Sequence, residues 1–285
     1  MSWKELWTMP RATFSRVRPI AQVATNPSLL PKRSRTWRSV AALVLREMTT
    51  TYGRSPGGYI WAVVEPLAVI ALLSFAFSLA FQAPSLGTSF PLFYATGYLP
   101  YMLFHDVSSK TALAFRFSRP LLNFSAVTWL DVLLARYLLN LLTHISVGGL
   151  VIFGLVLLED GQTWPNLALV FRAVVMAASL ALAVGAMNAL LFLAFPAWER
   201  VWMIVTRPLF IISGVFFLFE DVPSEIRNML WLNPLFHVTG EMRRAVYPAY
   251  EASYVSPVFV FGIACALLAF SLLMLSRHAN GMLHE

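Results

Sequence analysis

REMTTTYGRSPGGYIWAVVEPL, residues 46–67, changes character halfway along its length. It opens on charge and threonine, passes through one proline and three glycines, and becomes apolar. A few residues into the apolar part it sets Glu65 beside Pro66. Inside a bilayer a carboxylate is costly, and a proline removes a backbone donor. The stretch reads as a joint between a helix lying on a membrane surface and a helix entering the membrane. Pro56 and the glycines make the turn, and Tyr59 and Trp61 sit where aromatic rings anchor at the interface. Glu65 falls about one helical turn (roughly 5 Å) further in, within reach of water or of a basic partner such as Arg54. Pro66 is expected in the first turns of the span, where its missing donor costs least.

Working outward, the 285-residue chain is 58% hydrophobic and only 12% charged. Soluble domains carry about 25% charged residues. Six apolar runs are read as membrane spans, at 61–82, 90–105, 137–158, 167–195, 200–219 and 255–276. The fold class is therefore an all-α membrane protein with six transmembrane helices, an N-terminal amphipathic interfacial helix and a short external re-entrant helical hairpin before the last span.

The net charge of +7 is distributed as topology rather than as a nucleic-acid footprint. Residues 1–60 hold ten Lys/Arg, and the segments after the second, fourth and sixth spans add Lys110, Arg116, Arg119, Arg200 and Arg277. The opposite loops hold Arg227, Arg243 and Arg244. By the positive-inside rule both termini are cytoplasmic. Residues 1–36 are basic and broken by prolines, with no apolar stretch following, so they read as a flexible cytoplasmic extension rather than a secretory signal. The single cysteine, Cys265, lies in the last span and excludes a disulfide framework; its expected role is small apolar packing.

Residues 37–51 place Trp37, Val40, Ala41, Val44, Leu45 and Met48 at helical spacing, with Arg38, Arg46 and Glu47 elsewhere. This is an amphipathic helix lying in the cytoplasmic interface, its basic residues toward anionic head groups. Segment 106–120 reads either as a solvated connector or as a short helix that engages a cytoplasmic partner, capped by Asp106 or Ser108 and ended by Pro120. Asp131 and Arg136 are expected at the inner interface, Arg136 by snorkelling. His144 is either a functional intramembrane group or a hydrogen-bonded packing residue. Arg207, beside Pro208, either lines a polar path or snorkels to the cytoplasmic face. Ala181, Gly185 and Ala189, at four-residue spacing, predict close helix packing, and Asn188 offers an interhelical hydrogen bond.

Segment 220–254 is too long for a turn and too apolar for a solvated loop. It predicts two short amphipathic helices separated by Asn233-Pro234, dipping back into the outer leaflet and shaping an exit.

Chemistry is conspicuous by what the residues lack. Three lysines occur, none in a G-x-x-x-x-G-K-[ST] loop, so nucleotide hydrolysis by this chain is not expected. The five histidines form no metal-binding pattern, and no G-x-S-x-G is present. The spans hold no chain of carboxylates for a proton-driven carrier, nor paired broken helices in the two halves. What remains is a membrane pathway without its own energy source, and six spans are few for a large solute, which suggests two copies.

REMTTTYGRSPGGYIWAVVEPL and, before the last span, NPLFHVTGEMRRAVYP (233–248) together resemble the membrane subunit of ABC-2 type transporters. The likeness is strongest to the capsular polysaccharide exporters of Gram-negative bacteria and covers about residues 37–280. It implies a homodimer in the bacterial inner membrane bound to two cytoplasmic ABC ATPase subunits. ATP and Mg would sit on those partners, with no cofactor or metal on this chain. It further implies a lipid-linked acidic polysaccharide passed to a periplasmic co-polymerase or adaptor and an outer-membrane channel, with no nucleic acid involved. Arg46, Glu47, Lys110, Arg116 and Arg119 then become candidates for coupling to the ATPase. Arg54, Tyr59, Trp61, Glu65 and Arg207 become candidates for the substrate path, with Arg119 a further positive group near its entrance. Asn233, Pro234, His237, Glu241 and Arg244 become the external gate, Glu241 pairing with an arginine such as Arg244. The alternatives are an O-antigen or teichoic-acid type exporter permease and, in a different class, a membrane-embedded glycosyl or acyl transferase.

Overall fold

The computed structural model describes residues 32–51, 58–122, 127–159 and 164–284. Arg54, residues 1–31 of the expected extension and the side chain of Tyr59 lie outside what it describes. The described residues are helical and contain no strand: α1 (Lys32–Thr51), α2 (Gly58–Ser78), α3 (Phe90–Ala112), α4 (Ala114–Leu122), α5 (Trp129–Leu158), α6 (Leu167–Ala194), α7 (Trp198–Ile211), α8 (Ser224–Trp231), α9 (Pro234–Val246) and α10 (Pro257–His284).

Among the described residues four helices are long and apolar enough to cross a membrane: Ile60–Ser78, Trp129–Leu158, Leu167–Ala194 and Pro257–Arg277. Much of their surface is apolar and exposed, as at Leu72, Phe75, Leu142, Leu150, Phe153, Phe171 and Phe270. A water-soluble protein would bury such faces, whereas a bilayer solvates them. The other two expected spans differ from the reading. α3 does not stop at 105 but runs on to Ala112, taking in Asp106 and Lys110. α7 is only 14 residues long, because the chain leaves helical geometry at Ile212 and turns at Gly214, whose φ is +74°.

α3 is the central element, packed by α2, α5, α6 and α9. Ser89 caps its first turn by accepting from the Leu92 N–H, with Pro91 in the first turn. Small residues let α6 approach it: a Cβ on Gly185 would stand 2.8 Å from Thr111 Cβ and 3.0 Å from the Ser108 carbonyl. The Ala181–Gly185–Ala189 stripe thus packs inside this subunit, with Ala181 and Ala189 both fully covered. Asn188 accepts from Trp198 Nε1 at 3.0 Å and so ties α6 to α7. Cys265, in contrast, points outward from α10 rather than into packing.

Several local readings are corrected. α1 starts at Lys32, five residues before the expected boundary. Its Val40 is buried toward α5 while Trp37, Leu45 and Met48 stay exposed, which leaves an apolar stripe for the bilayer. Pro66 is in the third turn of α2, not at its start, so the helix interior lacks a bond to the carbonyl of Ala62. Asp106 and Ser108 cap nothing; they lie within α3, and the break falls at Leu113. Pro120 lies inside α4, which continues to Leu122. Asp131 completes a capping box at the start of α5, taking the Thr128 N–H at 2.9 Å while Thr128 Oγ1 takes its own N–H at 3.2 Å.

Candidate functional site

Three polar stations interrupt the apolar body. The first is at the basic end, where α1, the C-terminus of α3, α4 and the N-terminus of α5 converge around Arg136. Its guanidinium meets Glu47 of α1 at 2.8 Å, donates from Nε to the Lys110 carbonyl at 2.9 Å, and lies 4.2 Å from the centre of the Phe117 ring on α4. One planar fork therefore holds four helices, a task suited to arginine rather than lysine. The reading of Arg136 as a snorkelling residue is replaced by a clamp. Beside it Arg116 of α4 makes a two-bond pair with Glu199 of α7, at 2.7 and 3.1 Å. Arg46 on α1 and Arg119 on α4 are exposed at the same end.

The second station is a cavity of about 230 Å³ between α2, α3 and α5. Trp61, Glu65, Asp106, Lys110, Thr143 and His144 line it. It brings together two residues expected in the substrate path, Trp61 and Glu65, with one expected in coupling, Lys110. Arg207 does not join them; it is exposed on α7. A larger groove of about 560 Å³ lies between α3, α5 and α6, but its lining is apolar save for His144, so few groups converge there to orient a polar ligand.

The third station is built on α9. Asn233 caps the helix, accepting from the Leu235 N–H at 3.1 Å, and donates to the Ile212 carbonyl at 2.9 Å. Pro234 takes the first helical position. The expected pair of short helices divided at Asn233-Pro234 is what the structure contains. His237 is fully buried. Ser256 N–H donates to its Nδ1 at 3.2 Å, so Nε2 carries the proton and gives it to the Trp231 carbonyl at 2.7 Å. The neutral ring thereby joins α8, α9 and the start of α10. A Cβ on Gly240 would collide with the Tyr254 hydroxyl, so the glycine lets that ring pack close against α9.

Glu241 is also fully buried, but its partner is not Arg244. Arg172 of α6 pairs with it through Nη2 and Nε, while Arg244 is exposed one turn away. Residue 241 meets α6 in the interior, and residue 244, one turn further along α9, reaches the surface instead. The neighbouring Arg243, absent from the expected gate, is wholly buried. It donates to the carbonyls of Phe217 (2.8 Å) and Val215 (3.1 Å) and stacks 4.4 Å from the Phe93 ring. It pins the irregular stretch after α7 to α9 and α3. Arg172 carried a visible signal, being an arginine inside an apolar run. Arg136 and Arg243 carried none beyond their charge, since their partners are remote in the chain.

The described residues thus form an all-helical body with four helices long and apolar enough to cross a membrane, a buried Asn-Pro-capped helix before the last of them, and polar clusters between its helices. The ABC-2 type transporter family profile matches residues 38–247, and the chain belongs to that family. Among its relatives, the polysialic acid transport protein KpsM of Escherichia coli is 30% identical over 222 residues, covering 76% of this chain and 84% of that protein. The capsule polysaccharide export inner-membrane proteins CtrC of Neisseria meningitidis and BexB of Haemophilus influenzae are 25% and 26% identical over 248 residues each, covering 86% of this chain and 92% of each relative.

Proposed function

We propose that this chain is the permease subunit of an ATP-driven exporter that moves lipid-linked capsular polysaccharide across the bacterial inner membrane. The observation that carries the reading is the family match over residues 38–247 together with capsule-export relatives aligned over most of the chain. Two copies form the path, and two separate ABC ATPase subunits, holding ATP and Mg, bind the basic end. α3 and α7 complete six crossings with the four long apolar helices, and both termini are cytoplasmic by the distribution of Lys and Arg. The α8–α9 pair re-enters from the periplasmic side and closes the exit, where the polymer passes to an adaptor and an outer-membrane channel.

The geometry supports this division of labour. Closure of the ATPases would press on α1 and α4, and the Arg136 clamp carries that movement into α3 and α5 as one unit. The buried groups of α9 give the exit a rigid plug whose position depends on α6 through Glu241 and Arg172. The test is reconstitution of the chain with its partner ATPase in proteoliposomes. Polymer-stimulated ATP hydrolysis and translocation are expected; a complex that assembles and hydrolyses ATP but neither responds to polymer nor moves it overturns the reading.

A further inference from the structure

We propose that the cavity between α2, α3 and α5 binds the headgroup of a zwitterionic aminophospholipid, with its primary ammonium between Glu65 and Asp106 and its phosphate on Lys110. The cavity holds two carboxylates against one lysine, and neither Glu65 nor Lys110 makes a direct ion pair among the described residues. A second observation marks it as a ligand site. His144 is 8% exposed, and its Nε2 has no hydrogen-bond partner, standing 3.4 Å from Asp106 Oδ2 without hydrogen-bond geometry. Buried polar groups left in this condition cost stability unless something satisfies them.

The charges select the ligand. A group carrying only phosphate would meet Lys110 but also two carboxylates. A group carrying only a cation would leave Lys110 repelling it. A phosphate and an ammonium joined by a short linker match both signs, and a primary ammonium supplies N–H donors that a quaternary one lacks. A metal ion is disfavoured by the lining, since the described residues contain no group of three or more His, Cys, Asp or Glu placed to hold one.

The location selects a lipid rather than a soluble zwitterion. Trp61, 64% exposed, stands on the rim beside Ile60, Val64 and Leu67, all exposed apolar residues of the first turns of α2. Such a rim opens sideways onto acyl chains, with the aromatic ring at headgroup level. The inference rests on placing this end of α2 in the membrane interface and not on polysaccharide export.

The test is native mass spectrometry of the purified chain after exchange into micelles containing equimolar phosphatidylethanolamine, phosphatidylcholine and phosphatidylglycerol. Retention of phosphatidylethanolamine roughly tenfold above the other two is expected, the ratio given by one charge-assisted hydrogen bond. Glu65→Gln should bring it down to the phosphatidylcholine level, whereas Lys110→Gln should lower retention of both zwitterionic lipids together. Glu65 is exposed, so its variant is expected to fold; Glu65→Asp, which keeps the charge, should restore part of the preference. Equal retention of phosphatidylcholine would mean a generic lipid belt, and preferred phosphatidylglycerol would mean a simple cationic patch. A phosphatidylethanolamine preference unchanged in Glu65→Gln would put the lipid elsewhere. Each of these three outcomes overturns the proposal, and none depends on ATP hydrolysis or transport.

Discussion

The guanidinium of Arg136 meets the carboxylate of Glu47 at 2.8 Å, with only 13% and 17% of the two side chains exposed. The pair closes a junction that also contains the Lys110 carbonyl and the Phe117 ring. Arg136→Ala is expected to lower stability by about 3 kcal/mol, the lower end for breaking a buried pair, because it removes the guanidinium that meets the largely buried Glu47 carboxylate. It should also lower polymer-stimulated ATPase activity more than basal activity. Arg136→Lys should fall between, keeping the charge but losing the Nε donor and the flat ring contact. Measuring hydrolysis with and without polymer in proteoliposomes checks this. Full stimulation in a folded Arg136→Ala complex would remove the clamp from the coupling.

Arg116 and Glu199 present the opposite energetic case. Their pair has two good bonds, but 65% of the Arg116 side chain is exposed, so water and salt screen it to well under about 1 kcal/mol. Glu199→Gln should leave thermal stability unchanged. Arg116→Glu sets two carboxylates against each other between α4 and α7, and is expected to weaken ATPase stimulation while membrane insertion stays normal. Adding Glu199→Arg should restore part of it. Stimulation in Arg116→Glu equal to wild type would show that the α4–α7 link carries no coupling.

The buried pair on α9 predicts an asymmetry. Glu241 is fully buried, whereas 39% of the Arg172 side chain is exposed. Arg172→Ala strands a carboxylate in the interior and should cost about 3–5 kcal/mol. Glu241→Gln leaves a neutral amide inside and an arginine that can turn to water, at a cost of about 1–3 kcal/mol. Urea unfolding of the two variants in detergent measures the difference. A larger loss in Glu241→Gln than in Arg172→Ala would mean that the carboxylate has another essential partner.

What could be read from residue order follows from the range of the interactions concerned. The Asn233-Pro234 break and the small-residue stripe of α6 were legible because capping, turn chemistry and small-residue spacing are local signals. The apolar runs marked the long helices for the same reason. The partners of Arg136 and Glu241 were not legible: each lies on another helix, and spacing along one helix cannot name it. The end of α7 was hidden differently. Residues 212–219 remain apolar enough to pass for a span, but Arg243 and Asn233 satisfy their carbonyls from outside, so the backbone there does not have to be helical. Pro66 misled because its place in a turn depends on where the helix starts.

A matched pair of glycine substitutions tests the packing of the body itself. In α6, a Cβ on Gly185 would press on the side chain of Thr111 and the Ser108 carbonyl at 2.8 and 3.0 Å, and a backbone carbonyl inside α3 has little room to give. Gly185→Ala should therefore push α3 and α6 apart and cost about 1–3 kcal/mol, the usual range for overpacking. Gly148, in α5, would meet nothing within 4 Å. There the same substitution removes backbone freedom without a clash, so Gly148→Ala should stabilise the helix, by up to about 1 kcal/mol. One chemical change is thus expected to have opposite signs at two sites of the same body. Thermal unfolding in one detergent reports both. Destabilisation by Gly148→Ala would mean that something packs against that face in the assembled protein, since nothing within the described chain does. A neutral Gly185→Ala would mean that the α3–α6 contact can slide, and that the central helix is not held as rigidly as transmission from the Arg136 clamp requires.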